Sequence, residues 1–279
     1  MAEITDKKIL TDTLGVKITQ LKLTAPSIAE KAKPGQFVVL MTGEEGERIP
    51  LTVVEGDAKK GVITLIVQEA GLTTKLLGAL EVGKSLYALV GPLGHATEMK
   101  KYGKVILVGG GVGIAEIYPV AKGLNKAGNH ITTILGARTK DLLILEEELG
   151  AISDQLLIAT DDGSYGQKGF TTDILKNLLC RPSTIDYRLI YAVGPIPMMK
   201  NVSLVTKDSG IKTLVSLNSL MVDATGMCGG CRVSIGGEVK FTCVDGPEFD
   251  ASLVDWDELI KRNKIYAEKE KHICNLYKL

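Results

Sequence analysis

The run Val105-Ile106-Leu107-Val108 leads directly into Gly109-Gly110-Gly111-Val112-Gly113 and then into Ile114-Ala115-Glu116-Ile117. A short, uncharged, β-branched run that ends in a glycine turn and opens a helix admits few folds. Such a strand is buried on both faces, and the glycines let the chain turn tightly onto a helix N-terminus. The same grammar recurs downstream: a helix over 114–127, a strand over 131–135, a helix over 141–149, a strand over 155–159, a helix over 171–179 and a strand over 189–192. This alternation predicts a doubly wound parallel α/β sheet with helices on both faces.

Upstream the pattern is different. Short β-rich runs over 16–23, 36–41, 50–54 and 61–68 are separated by Gly and Pro and predict a small antiparallel β-barrel. One helix, over 73–80, interrupts them, with Thr73 and Thr74 placed to cap it. Downstream, residues 215–254 are rich in Cys and Gly, and a charged helix is expected from Asp255 to the C-terminus. The expected domains are a barrel over 1–97, an α/β domain over 98–214 and a cysteine-bearing segment with the terminal helix over 215–279. Lys+Arg and Asp+Glu balance at 33 each, so no net field recruits nucleic acid or an anionic membrane. The apolar tract over 105–121 contains Glu116 and four closely spaced glycines, which makes it a poor membrane span, and the polar N-terminus lacks a signal-peptide core. A cytoplasmic protein is expected.

Three of the five cysteines cluster, as Cys228-Gly-Gly-Cys231, eleven residues, then Cys243. Plant-type [2Fe–2S] sites use Cys-x4-Cys-x2-Cys with a distant fourth Cys. Here Asp223 occupies the first of those positions, so three thiolates and one carboxylate complete a candidate set. Gly226, Gly229 and Gly230 free the backbone to curl around the sulfurs. Cys-x2-Cys is also a zinc signature, but zinc would call for a second Cys pair or a nearby His, and neither is present. Asp245 is the other nearby carboxylate that could compete with Asp223. Cys180 and Cys274 lie in helix-like contexts as core or surface thiols.

The glycine turn points a helix N-terminus toward phosphate. It departs from Gly-x-Gly-x-x-Gly because Glu116 stands at the third glycine position, and no acidic residue follows at the distance expected for ribose. Two later strand ends, Gly136-Ala137-Arg138 and Thr160-Asp161-Asp162-Gly163-Ser164, fall at the carboxyl edge of the sheet, where ligands of such folds bind. A third, Val193-Gly194-Pro195, lets a flat ring approach the backbone. In the barrel, Arg48 and Thr52 flank Pro50 about one strand-length apart. Arginine suits a pyrophosphate and a threonine hydroxyl a flavin edge. Gly71-Leu72-Thr73-Thr74 offers a second phosphate cradle at a helix start. Taken singly, each also fits an exposed loop.

In this order, the barrel with Arg-x-Pro-x-Thr, the cradle, the glycine turn, the Gly-Pro-x-x-Met strand end and the ferredoxin-like cysteines resemble the ferredoxin–NADP reductase superfamily. Nearly the whole chain is covered. The 160–169 run and the trailing cysteines resemble the electron-transfer subunit of dihydroorotate dehydrogenase. Arg48-Ile-Pro-Leu-Thr52 and Asp223 resemble more closely still the small subunit of the NADH-dependent reduced ferredoxin:NADP oxidoreductase (Nfn) family. The resemblance implies FAD contacts at Arg48, Pro50, Leu51, Thr52, Gly71, Thr73 and Thr74. It implies NAD(H) contacts at Gly110, Gly111, Gly113, Arg138, Asp161, Asp162 and Gly194, and cluster ligation by Asp223, Cys228, Cys231 and Cys243.

Val193 departs from the family, many of whose members place a cysteine there. With three histidines, none in a catalytic arrangement, no catalytic side chain is expected. The implied chemistry runs from NADH through FAD and the cluster to a larger flavoprotein partner with its own FAD and [4Fe–4S] clusters, as part of electron bifurcation. Two alternatives stay open: service to a dihydroorotate dehydrogenase, and a non-catalytic zinc-stabilised module. The terminal helix, through Trp256, Leu259, Ile260, Ile265, Tyr266, Ile273, Leu276 and Tyr277, is a candidate partner face or a cover for the chain's own core.

Overall fold

The structure is a computed structural model that describes residues 2–180 and 186–276. The chain forms two compact units. One comprises Met1–Ala96, Asn218–Pro247 and Asp255–Leu279, and the other Thr97–Leu217 with Glu248–Val254.

The first unit opens with β1 (Ile4–Thr13), β2 (Val16–Thr24), α1 (Pro26–Lys31), β3 (Phe37–Met41), β4 (Ile49–Thr52), β5 (Glu55–Asp57), β6 (Val62–Gln68), α2 (Leu72–Ala79) and β7 (Ala88–Leu93). The strands form two antiparallel sheets, ordered β1-β2-β6-β5 and β4-β3-β7. Between them lies one core that includes Leu21, Leu23, Val38, Leu40, Ile63, Leu65, Val67 and Leu77. β1 lies outside the strands expected from the sequence, because its Asp6, Lys7 and Lys8 break any apolar alternation. As an edge strand it tolerates charge, and its pairing is set by the turn. Leu14 and Gly15 both have positive φ, 52° and 71°, as a two-residue hairpin turn of right-handed twist requires. Lys7 then spans to the C-terminus of α2, where its ammonium donates to the carbonyls of Gly78 and Leu80 at 2.5 and 3.0 Å.

The second unit contains β8 (Lys104–Gly110), α3 (Gly113–Lys126), β9 (His130–Ala137), α4 (Glu146–Gly150), β10 (Gln155–Thr160), β11 (Gln167–Lys168), α5 (Thr171–Leu179), β12 (Tyr187–Val193), α6 (Ile196–Thr206) and β13 (Lys212–Ser216). The order β11-β10-β9-β8-β12-β13 is parallel throughout. From β8 the chain winds outward to β9 and β10, then returns to the other side of β8 as β12. The crevice between β8 and β12 is the topological switch point, where a doubly wound sheet receives its ligand. The single helix expected over 141–149 is broken. Leu145 sits in the left-handed region at φ 54°, so a 3₁₀ turn over Lys140–Leu142 precedes a five-residue α4.

The C-terminal stretch adds β14 (Arg232–Ile235), β15 (Glu238–Phe241), α7 (Thr242–Asp245), β16 (Glu248–Asp250), α8 (Trp256–Asn263) and α9 (Ala267–Leu276). β14 and β15 form a hairpin. β16, which belongs to the second unit, pairs antiparallel with β13 at the edge of the parallel sheet. The continuous terminal helix expected from Asp255 is two helices. Trp256 and Leu259 are buried, while Ile265 and Tyr266 lie exposed in the break. The expected single apolar face is therefore interrupted. The side chains of Cys274 and Leu276, and all of Tyr277, fall outside the described residues. No described helix is long and apolar enough to cross a membrane.

Candidate functional site

The cysteine loop is held from both sides. Thr242 gives its amide (3.2 Å) and its hydroxyl (3.0 Å) to the Cys231 carbonyl, fixing Cys231 against α7, where Cys243 lies. Arg262 of α8 donates to the Gly230 carbonyl at 3.0 Å, and Asn263 to that of Asn218 at 3.0 Å. Helix α8 is itself well specified. Asp255 caps it by accepting from the Asp257 and Glu258 amides, with acidic residues in its first turn and basic ones in its last. Gly226 and Gly229 have positive φ, which allows the loop to curl.

The four predicted ligands come together as two pairs. The Cys228 thiol donates to Asp223 Oδ1 at 3.2 Å, and Cys231 Sγ lies 3.2 Å from Cys243 Sγ. Amides point at the sulfurs: Gly230 N–H at Cys228 (3.4 Å) and Cys243 N–H at Cys231 (3.4 Å). The Thr225 amide, and after it the Cys228 thiol, hold the Asp223 carboxyl below its ordinary range. Burial, reinforced by the neighbouring Cys231, pushes the Cys243 thiol up to about 12. A thiol that reluctant to ionise becomes a thiolate when a metal replaces its proton.

Among the described residues no three His, Cys, Asp or Glu side chains converge on one point as a single metal ion requires. Two donor pairs suit instead a binuclear cluster, in which each iron takes two protein ligands. The donor set therefore fits a [2Fe–2S] group. Asp245, the competing carboxylate, is engaged elsewhere, accepting from the Phe241 amide at 2.6 Å.

In the barrel, the alternation of β4 sorts the FAD candidates. Ile49 and Leu51 pack on the core and Pro50 and Thr52 face the other way, while Arg48 precedes the strand and is exposed. The loop before β4 is tied to the start of α2, because the Thr73 hydroxyl donates to Glu47 Oε2 at 2.8 Å. Arg48 and the α2 cradle thus belong to one neighbourhood. The Thr74 hydroxyl is spent locally, accepting from the Ala70 (3.0 Å) and Gly71 (2.9 Å) amides. The guanidinium, the α2 start and the Thr73 hydroxyl are chemically suited to a pyrophosphate.

At the switch point, the glycines meet each other's strands. A Cβ on Gly113 would lie 2.5 Å from the Val193 carbonyl oxygen, and one on Gly194 would lie 3.0 Å from the Gly110 oxygen. One on Gly110 would strike Met198 Sδ at 2.4 Å. Packing of the turn against the end of β12 accounts for these glycines as fully as ligand approach does. Gly111 N–H donates to the Gly136 carbonyl at 2.9 Å, extending the sheet.

The loops after β9 and β10 are joined, Asp161 N–H to Ala137 O at 3.1 Å and Asp162 N–H to Arg138 O at 3.2 Å, which brings both aspartates beside Arg138. Desolvation raises the Asp161 carboxyl, and Arg138 opposes this. Asp162 is held low by the Ser164 amide and hydroxyl. Thr139 and Thr171, outside the expected site residues, have buried hydroxyls with no hydrogen-bond partner among the described residues; the Thr171 methyl packs where a side chain on Gly136 would stand. Neither they nor Glu47 are marked by any periodicity or motif.

An antiparallel barrel, a doubly wound sheet with its switch-point glycines and a loop that pairs thiols with a thiol and a carboxylate define an NAD-linked iron–sulfur oxidoreductase subunit of the ferredoxin-reductase fold. Residues 107–203 match the oxidoreductase NAD-binding domain, and residues 218–255 match the iron-sulfur cluster binding domain of dihydroorotate dehydrogenase B. The chain belongs to the family of dihydroorotate dehydrogenase B electron transfer subunits and their homologues. It is 52% identical to the electron transfer subunit homolog of Thermotoga maritima, over 88% of this chain and 86% of that protein. With the electron transfer subunit of Geobacillus thermodenitrificans it shares 34% identity, over 84% and 91%. Among solved structures, it matches a chain from the NADH-dependent reduced ferredoxin-NADP oxidoreductase, described for its flavin-based electron bifurcation. The TM-score is 0.92 and the identity 46%, over 100% of this chain and 98% of that one.

Proposed function

We propose that this chain is the small, electron-transferring subunit of a cytoplasmic, electron-bifurcating NADH-dependent ferredoxin:NADP oxidoreductase. It would work with a larger flavoprotein that carries its own FAD and [4Fe–4S] clusters. When bound, FAD supplies conversion between two-electron and one-electron chemistry, and the [2Fe–2S] cluster a one-electron relay. The chain's own residues bind and orient. Arg48 and the α2 start hold the FAD pyrophosphate, and Thr52 faces the flavin. The switch-point turn, Gly194 and the Arg138–Asp161–Asp162 group take NAD(H). Asp223, Cys228, Cys231 and Cys243 hold the cluster, whose thiolates persist in a reducing compartment. No side chain acts as a catalytic acid or base.

The observation that carries this reading is the pairing of Asp223 with Cys228, a carboxylate at the first ligand position. A second reading, service to a dihydroorotate dehydrogenase, is favoured by the names of the curated relatives. Iron, acid-labile sulfide and the visible and EPR spectra of Asp223→Ala and Asp245→Ala test the ligand assignment. Asp223→Ala is expected to lose or destabilise the cluster and Asp245→Ala to keep it. Equal cluster content in Asp223→Ala and wild type refutes the assignment. Co-purification from the native source separates the two readings by the partner recovered.

A further inference from the structure

Resting on the reading of Arg48 and the α2 start as the FAD pyrophosphate site, we propose that Glu47 is a competing anion there: it occupies the Thr73 hydroxyl and sets FAD affinity lower than a neutral side chain would. Three observations carry this. The Thr73 side chain is buried, and its hydroxyl donates to Glu47 Oε2 at 2.8 Å. Thr73 lies in the first turn of α2, an eight-residue helix whose N-terminus carries partial positive charge and favours an anion. The neighbouring hydroxyl, Thr74, is committed to the backbone of Ala70 and Gly71 and offers no substitute.

A phosphate brought to this helix start therefore meets a carboxylate already bonded to its side-chain donor. Two anions cannot share one hydroxyl proton. Either Glu47 swings away, losing its hydrogen bond and its place at the helix end, or it stays and repels the phosphate across a few ångströms. Both routes weaken FAD binding. Arg48, the next residue along the chain, attracts the same phosphate, so adjacent positions pull in opposite directions. The loop then tunes retention of the flavin as well as capturing it.

The test is FAD affinity of the full-length chain, stripped of flavin and titrated with FAD while the quenching of flavin fluorescence is followed. Glu47→Gln preserves shape and is expected to tighten FAD roughly fivefold, a helix-end charge effect. That gain should shrink as salt is raised. Glu45→Gln, in the same exposed loop, should leave the affinity within about twofold of wild type, because solvent screens an exposed charge. Thr73→Val should weaken FAD binding. An unchanged or weaker affinity in Glu47→Gln overturns the proposal, as does equal tightening in Glu45→Gln, which would mean that loop charge alone is at work. If Thr73→Val leaves FAD affinity intact, the pyrophosphate reading itself fails.

Discussion

Gly113→Ala separates packing from helix propensity at the switch point. Gly113 is the first residue of α3 and is not in the left-handed region, so alanine there meets no backbone conflict. By propensity alone the change should stabilise the helix by up to about 1 kcal/mol. The added methyl, however, would sit 2.5 Å from the Val193 carbonyl oxygen, 2.7 Å from its carbon and 2.8 Å from Gly194 Cα. Carbon–oxygen contacts run at about 3.3 Å, so roughly 0.8 Å of separation must be found. The obstructing atoms are backbone of β12, which is paired on both sides, with β8 and β13, and cannot yield as a side-chain tip would. A 0.8 Å intrusion on backbone belongs at the upper end, about 2–3 kcal/mol, of what overpacking costs, and with the propensity gain of up to about 1 kcal/mol subtracted the net is a loss of about 1–2 kcal/mol. Gly150→Ala is the matched control: it lies in α4, also outside the left-handed region, and its nearest neighbour is the Leu156 Cδ2 methyl at 3.6 Å, an ordinary contact. Urea unfolding should show Gly113→Ala destabilised and Gly150→Ala neutral or slightly stabilised. NADH affinity should fall in the former alone. A Gly113→Ala protein as stable as wild type would refute the argument that the two backbones touch.

Two further predictions concern charge. Asp161 and Asp162 stand beside Arg138, so a ribose 2′-phosphate arriving there meets two carboxylates along with one guanidinium. The double change Asp161→Asn with Asp162→Asn should improve NADPH binding by about tenfold, the effect of about 1.4 kcal/mol of relieved repulsion, and adding Arg138→Ala should cancel the gain. Equilibrium titration with both nucleotides checks this, and unchanged NADPH affinity counts against it. Glu248, half-buried on β16 and bonded by the hydroxyls of Thr97 and Tyr191, has its carboxyl raised above 4.5, with desolvation the largest cause. Between the unfolded value and that raised value the folded chain binds more protons, so its share of stability is full below about 4.5 and is lost as pH rises through the folded value. Glu248→Gln should flatten the stability profile in that window; an unaltered profile would show that the carboxyl does not titrate there.

Strong local signals made much of the architecture legible in the sequence. The uncharged run 105–108 with its glycine turn, and the repeats of that grammar after it, specify a parallel sheet because buried central strands and helix-opening turns leave few other arrangements. The spacing of Cys228, Cys231 and Cys243 alone marked an iron–sulfur segment, which the match of residues 218–255 to a cluster-binding domain shows. Other features were decided by contacts between distant residues. β1 is too polar to read as a strand, yet it is held by a two-residue turn and a full-length partner. Leu145 breaks a helix whose residues otherwise favour it, and Ile265 with Tyr266 interrupt another. β16, only three residues long, has no pattern of its own and exists because the edge of β13 was open to it. The pairing of Cys231 with Cys243, the bracing of their loop by Arg262 and the meeting of Glu47 with Thr73 join segments 12 to 32 residues apart in the chain. Periodicity reports which face of an element is buried, whereas these contacts depend on which element lies opposite, and only the folded chain determines that.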